Sequence, residues 1–152
     1  MIYLLGIDHQ VQHQKQIQVS MVFAFYLSKK IKELNIKFLG EEWFQDLLKE
    51  NGVVTTVTQD VATKHNIDHR FCDPNRDERR SIGWFSKKDD DKREKFWLEK
   101  IKDKTDVNII FVCGADHLES FNVLLSDSGL CCEVLPKRFD IVTYHKSENK
   151  DL

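Results

Sequence analysis

Short apolar runs alternate along this chain with segments whose apolar residues recur every three or four positions. The runs IYLLGI (residues 2–7) and VNIIFVC (residues 107–113) are apolar at nearly every position and contain several β-branched residues, which is typical of strands buried on both faces. Residues 17–34 place apolar side chains at three- and four-residue steps, the spacing of an amphipathic helix. The pattern therefore predicts an α/β protein.

The alternation of strand and helix continues through the rest of the chain. Further strands are predicted at 36–40, 53–57, 67–74, where Pro74 ends the run, and 131–135. Further helices are predicted at 41–52, 59–66 and 115–129, and the charged segment 87–104 predicts a solvated helix anchored by Trp97. Because most strands are apolar throughout and are followed by helices, we predict a three-layer sandwich with a mostly parallel sheet.

The length and composition fit one α/β domain, residues 1–145, followed by a polar tail, 146–152. A formal net charge of -2 disfavours nucleic acid as a partner and leaves a small-molecule or anionic substrate open. The N-terminus has no basic region, and no stretch approaches the roughly 20 apolar residues of a membrane span. We therefore predict a cytoplasmic protein without a membrane segment. The four cysteines show no Cys-x-x-Cys spacing and are interpreted as small buried side chains.

A four-residue motif, Gly-x-Asp-His, follows two of the predicted strands. It occurs as GIDH (Gly6 to His9) and as GADH (Gly114 to His117). The glycines are expected to let the backbone turn sharply where each strand ends. Parallel strands place their carboxyl ends at one edge of the sheet, and ligands bind there. Two acids, Glu41 and Glu42, follow a third strand, and Asp73 ends a fourth. The sequence therefore predicts an active edge at the strand carboxyl ends.

Histidine and carboxylate together suit two kinds of chemistry. As catalytic residues we predict His9, His117, Glu41 and Glu42. As ligands for a divalent metal, zinc, manganese or iron, we predict His9, His117, Glu42 and Asp73, with an open position for an activated water. Asp8 and Asp116 would orient these groups or contact substrate. In the alternative interpretation, each aspartate caps a helix and each histidine donates to a nearby carbonyl.

The segment DPNRDERRSIGW (residues 73–84) combines arginines with acids. Arg76, Arg79 and Arg80 are predicted to bind a phosphate or another anionic group of the substrate, since the guanidinium fork matches phosphate oxygens. If the segment folds over the edge of the sheet, Arg79 or Arg80 would clamp the substrate. The alternative is a turn at Asp73-Pro74 followed by a self-paired, solvated helical turn.

These motifs resemble the broad group that contains the TraB/Tiki proteins, the ChaN-type proteins and the erythromycin-esterase-like enzymes. The similarity lies in GIDH, in GADH and in the acidic GEE of residues 40–42. The segments HRFCDPNRDERRSIGW, REKFWLEKI and FVCGADHLESF also resemble a small bacterial family of α/β proteins that carries no known activity. The resemblance implies a hydrolase-like scaffold: the Tiki branch contains metal-dependent proteases, the esterase branch uses His and Glu, and the ChaN branch is associated with haem.

Our first hypothesis is a small metal-assisted hydrolase of ester, amide or phosphoester bonds. The alternatives are a non-catalytic binding domain for a small anionic or nucleotide ligand, and an accessory interaction protein of a bacterial system with Trp43, Trp84 and Phe85 forming an exposed patch. The sequence has no glycine-rich phosphate loop and no Gly-x-Ser-x-Gly elbow. P-loop nucleotide hydrolysis and serine esterase chemistry are therefore disfavoured.

Overall fold

Five strands form one parallel sheet in this computed structural model, which describes residues 1–13, 15, 17–135 and 139. The strands are β1 (Ile2–Ile7), β2 (Phe38–Glu41), β3 (Asp68–Phe71), β4 (Ile109–Gly114) and β5 (Cys132–Val134). Their order across the sheet is β3-β2-β4-β1-β5, and every neighbouring pair is parallel. The prediction of a mostly parallel α/β sheet is confirmed.

Helices cover both faces of this sheet. They are α1 (His9–His13), α2 (Gln18–Glu33), α3 (Gln45–Glu50), α4 (Val57–His65), α5 (Arg76–Ile82), α6 (Asp90–Ile101) and α7 (Leu118–Asp127). One buried cluster joins α2 and α4 to one face of the sheet, and a second joins α6 and α7 to the opposite face. The molecule is therefore the predicted three-layer sandwich.

The strands alternate their side chains between the two cores, as the pleat of a strand requires. In β1, Leu5 and Ile7 enter the core beneath α2, whereas Ile2 and Leu4 enter the core beneath α6 and α7. The predicted anchor of the charged helix, Trp97, is fully buried in this second core. Both faces of the sheet are covered, which explains why β1 and β4 are apolar at nearly every position.

Two local predictions differ from the structure. Residues 53–57 do not form a strand. The Thr56 hydroxyl accepts a hydrogen bond from the backbone N–H of Gln59 and thereby caps α4, which begins at Val57. Of the cysteines, Cys72 and Cys113 are buried as predicted, whereas Cys131 is exposed. The predicted tail, residues 146–152, lies outside the described residues. In the part of the chain that is described, no helix is long and apolar enough to cross a membrane.

Candidate functional site

The sheet order brings three of the predicted site residues together at the carboxyl edge. Strand β4 lies between β1 and β2, and the register pairs Ile7 of β1 with Gly114 of β4. The three strands therefore end at a similar level. His9, Glu42 and His117, which follow β1, β2 and β4, consequently lie close to one another.

Glu42 is the centre of this cluster. Its side chain has no exposed surface, and one carboxylate oxygen, Oε2, accepts a hydrogen bond of 2.6 Å from the backbone N–H of Gly114. The other oxygen, Oε1, lies 3.7 Å from Nε2 of His9 and 3.8 Å from Nε2 of His117. Both imidazoles thus present the same ring nitrogen to one buried carboxylate oxygen.

Arg93 on α6 supplies the positive charge beside Glu42. Its Nη2 lies 2.6 Å from Glu42 Oε1, an ion pair that lacks the alignment of a hydrogen bond. Its Nε donates a 2.6 Å hydrogen bond to Asp73, whose carboxylate also accepts from the indole of Trp97 and from Arg79. A buried network of alternating charge therefore lies beneath the carboxyl edge.

His117 is held between a carboxylate and a guanidinium. Its Nδ1–H donates a 2.9 Å hydrogen bond to Glu94, a buried residue of α6, while Nε2 of the neutral ring accepts from Arg93 Nη1 at 3.3 Å. Burial lowers the pKa of His117, but the hydrogen bond to Glu94 and the charge of Glu42 outweigh burial and the opposing charge of Arg93. The net result is a raised pKa.

A raised histidine pKa makes the stability of the fold depend on pH. The contribution of His117 is fully present below the pKa of the unfolded chain and is lost as the pH rises through the higher pKa of the folded chain. We expect the unfolding free energy of wild type to be higher than that of His117→Gln, and the difference to be larger at about pH 5.5 than at about pH 8.5. Urea denaturation at the two pH values measures this difference.

His13 offers a control of opposite sign. Burial, and then the neighbouring His9, lower the pKa of His13, so its protonation opposes folding. The margin between wild type and His13→Gln should therefore increase with rising pH. If the difference in unfolding free energy from wild type changed with pH in the same direction for both variants, the assignment of His117 would be contradicted.

A second chain of hydrogen bonds fixes the orientation of His9. The buried amide of Gln12 donates through Nε2 to Glu41 Oε2 at 3.1 Å, and its Oε1 lies 3.0 Å from His9 Nδ1. Glu41, also buried, accepts in addition from the Thr56 hydroxyl at 2.5 Å and from His69 Nε2 at 2.7 Å. Because the Glu41 carboxylate can only accept, the Gln12 amide oxygen must face His9.

This orientation determines which nitrogen of His9 carries the proton. Nδ1–H donates to Gln12, so Nε2 of the neutral ring keeps its lone pair. The His9 side chain is 51% exposed, whereas that of Glu42 is fully buried. His9 is therefore a pre-oriented imidazole whose Nε2 lone pair lies beside a buried carboxylate and whose ring solvent can reach.

The two motif glycines do not provide a turn. Neither has a positive φ, and Gly6 lies inside β1. A Cβ at Gly6 would lie 2.5 Å from Leu118 Cδ1, and one at Gly114 would lie 3.4 Å from both Glu42 Oε2 and His9 Nε2. Gly6 is therefore required by the close approach of Leu118, whereas a Cβ at Gly114 would make ordinary contacts. This corrects the expectation that the two glycines are needed for a sharp bend.

The remaining predicted residues have different surroundings. Asp8 and Asp116 are exposed. Arg76 pairs with Glu50, and Arg80 pairs with Asp77; both arginines are largely exposed on α5. Helix α5 begins with a capping box at Asn75, which is the self-paired alternative considered for this segment.

Arg79 alone of the three predicted arginines contacts the cluster, through Asp73. Its guanidinium also stacks on the rings of Phe44 and Trp84. Of the aromatic residues suggested as a patch, Trp43 is buried and Phe85 is 77% exposed. The three do not form an exposed aromatic surface.

The predicted metal ligands Glu42, His117 and Asp73 are already engaged by arginine. Arg93 contacts both Glu42 Oε1 and His117 Nε2, so a permanent cation lies at the atoms that would hold the ion, and Asp73 is bound to two arginines. Among the described residues, no group of three or more His, Cys, Asp or Glu side chains is placed to hold a metal ion. Binding of zinc, manganese or iron stays a prediction.

Comparison with protein-family models, curated proteins and solved structures finds no match to this chain. The fold and the side-chain geometry define the class: an α/β sandwich with a histidine–carboxylate cluster at the carboxyl edge of a parallel sheet.

Proposed function

We propose that this protein is a hydrolase in which His9 activates water beside Glu42. The observation that carries the proposal is the pair of Nε2 atoms, from a half-exposed His9 and from a mostly buried His117, directed at one fully buried oxygen of Glu42. Burying charges costs free energy that packed apolar side chains would avoid. Clusters of this kind, with a raised histidine pKa among them, are more typical of active sites than of structural cores.

The tautomer of His9 supports its role as a general base. Its lone pair is on Nε2, the nitrogen that faces Glu42 across 3.7 Å. When a water attacks the carbonyl or phosphoryl group of a substrate, Nε2 accepts the water proton and later returns it to the leaving oxygen or nitrogen. The negative charge of Glu42 stabilises the imidazolium that exists between these two steps.

Arg93, held by His117, supplies a second contribution on the other side of Glu42. The Arg93 guanidinium has five N–H donors, and three of its nitrogens already contact Asp73, His117 and Glu42. Its remaining N–H groups provide positive charge for the oxyanion of an ester, amide or phosphoester intermediate, and the His117 ring holds the guanidinium in place by accepting from Nη1. None of these steps needs a metal ion.

The test is a screen of the purified protein with chromogenic ester, anilide and phosphoester substrates, in parallel with the His9→Gln variant. We expect turnover of one substrate class by wild type, unchanged by EDTA and lost in the variant. Turnover abolished by EDTA and restored by zinc or manganese would support the metal-assisted mechanism instead. Equal turnover in both preparations would contradict the role of His9.

The predicted tautomer of His9 is measurable without a substrate. In ¹⁵N-labelled protein at about pH 8.5, where an ordinary histidine is neutral, long-range ¹H–¹⁵N correlation should show the His9 proton on Nδ1. Replacing Gln12 by Leu removes the acceptor, so we expect a mixture of tautomers in Gln12→Leu. The spectrum of His13, which lies in the same helix, should not change. A wild-type proton on Nε2 would contradict the orientation of Gln12.

A further inference from the structure

A groove of about 700 Å³ lies between α2 and α4, outside the histidine–carboxylate cluster. Its apolar part consists of Met21, Ala24 and Phe25 from α2 with Val57 and Val61 from α4. Met21 and Phe25 lie one helical turn apart and are 64% and 62% exposed. Two large apolar side chains with this much exposed surface in one groove indicate a binding surface.

The rim of this groove is strongly positive. Four lysines, Lys15, Lys29, Lys32 and Lys64, line it with one acid, Asp60, so the lining carries a net of three positive charges. Asp60 is itself paired with Lys15 at 2.6 Å. The whole chain has a net charge of -2, which means that the positive charge of the groove is a local feature.

The positive charge of the groove also acts on His65, which lines it. Burial lowers its pKa, and so do the charges of Lys32 and Lys64. Within the described residues, its Nε2 is buried without a hydrogen-bond partner. Lys15 and Lys29 pair with Asp60 and Glu33, whereas Lys32 and Lys64 act on His65. An anionic partner would neutralise the charge of Lys32 and Lys64.

We propose that this groove binds an acidic amphipathic helix of a partner protein. The groove follows α2 from Met21 to Lys32, a length of about 16 Å at the rise of an α-helix. A partner helix of about three turns would place apolar residues against Met21 and Phe25 and carboxylates against the lysines. A groove between two helices is concave and accepts a convex ridge, whereas a flat membrane surface would not fill it.

The probe is a fluorescein-labelled, amidated peptide of about four helical turns, with leucines at i, i+3, i+4 and i+7 and glutamates on both flanks. Its matched control carries lysine at every glutamate position. Fluorescence anisotropy should show saturable binding of the acidic peptide that weakens with added salt. The double charge reversal Lys32→Glu/Lys64→Glu, and separately Phe25→Ser, should each weaken binding by about tenfold or more.

A control variant tests whether the groove itself accounts for binding. The double reversal Lys37→Glu/Lys49→Glu changes exposed lysines outside the groove and should leave the affinity unchanged. No binding of the acidic peptide, or equal binding of both peptides, would overturn the proposal. If the protein instead sedimented with phosphatidylglycerol vesicles and did not bind the peptide, the groove would be a membrane-binding surface. If the protein self-associated and Phe25→Ser abolished this, the groove would be an interface with a second copy. Either result would overturn the proposal.

Discussion

Replacing Arg93 by Met should destabilise the fold by about 3–5 kcal/mol, because it leaves the buried Glu42 carboxylate without its arginine and Asp73 with Arg79 alone. The Arg93 side chain is 12% exposed, and its two acidic partners, Glu42 and Asp73, are almost fully buried. Burial raises the cost of an unpaired charge, and methionine preserves much of the apolar volume that packs against Trp84 and Trp97. Urea denaturation of wild type and variant measures the loss.

The matched control is Arg80→Met, which removes an exposed arginine from a 3.9 Å surface pair with Asp77. Such pairs contribute about 0–1 kcal/mol, so Arg80→Met should have little effect. The double variant Arg93→Met/Glu42→Gln should lose less stability than the sum of its single variants, since the second substitution removes the unpaired charge. If Arg93→Met and Arg80→Met cost the same, Arg93 does not hold the buried network together.

The architecture followed from sequence patterns because burial on both faces leaves little ambiguity. Strands β1 and β4 are apolar at nearly every position, and only a central strand of a covered parallel sheet tolerates this. For residues 53–57 the sequence pattern predicted a strand that the structure does not contain. Its β-branched residues favour a strand, but Thr56 satisfies a backbone N–H of α4 and contacts Glu41. A side-chain cap prevailed over the strand propensity of a short run.

The candidate cluster was only partly predictable. His9, Glu42 and His117 could be found because each follows a strand whose end lies at the same edge. Glu41 and Glu42 were not distinguished, although successive residues at a strand end point to opposite faces. Glu42 contacts Arg93 on α6, whereas Glu41 contacts Gln12 and Thr56 on the other side.

Arg93 and Glu94 were missed because they lie in a charged run that predicts a solvated helix. A usable signal was present: Arg93 and Glu94 precede Trp97 by four and three residues, so they share the helix face that Trp97 buries. Gln12 likewise follows His9 by three residues in α1, so the two side chains share a face of that helix. The identity of their partners depends on how the helices pack against the sheet edge, which residue spacing alone does not determine.

Replacing His9 by Gln should lower kcat/KM for the substrate class found in the screen by about 10²–10⁴-fold, the usual contribution of a general base. Since His9 acts in the chemical step, we expect kcat to fall by the same factor and KM to change little. The side chain is half exposed, so the unfolding free energy should change by less than about 1 kcal/mol. Steady-state kinetics and urea denaturation of the same preparation separate the two effects.

His13→Gln is the matched control for His9→Gln. Both histidines belong to α1 and contact the ring of Trp43, with ring centroids 5.9 Å away for His9 and 5.4 Å for His13. Only His9 also faces Glu42 and is oriented by Gln12. His13→Gln should therefore retain wild-type kcat/KM. A comparable loss in both variants would mean that α1 and Trp43 act on the site as packing elements and that His9 is not the base.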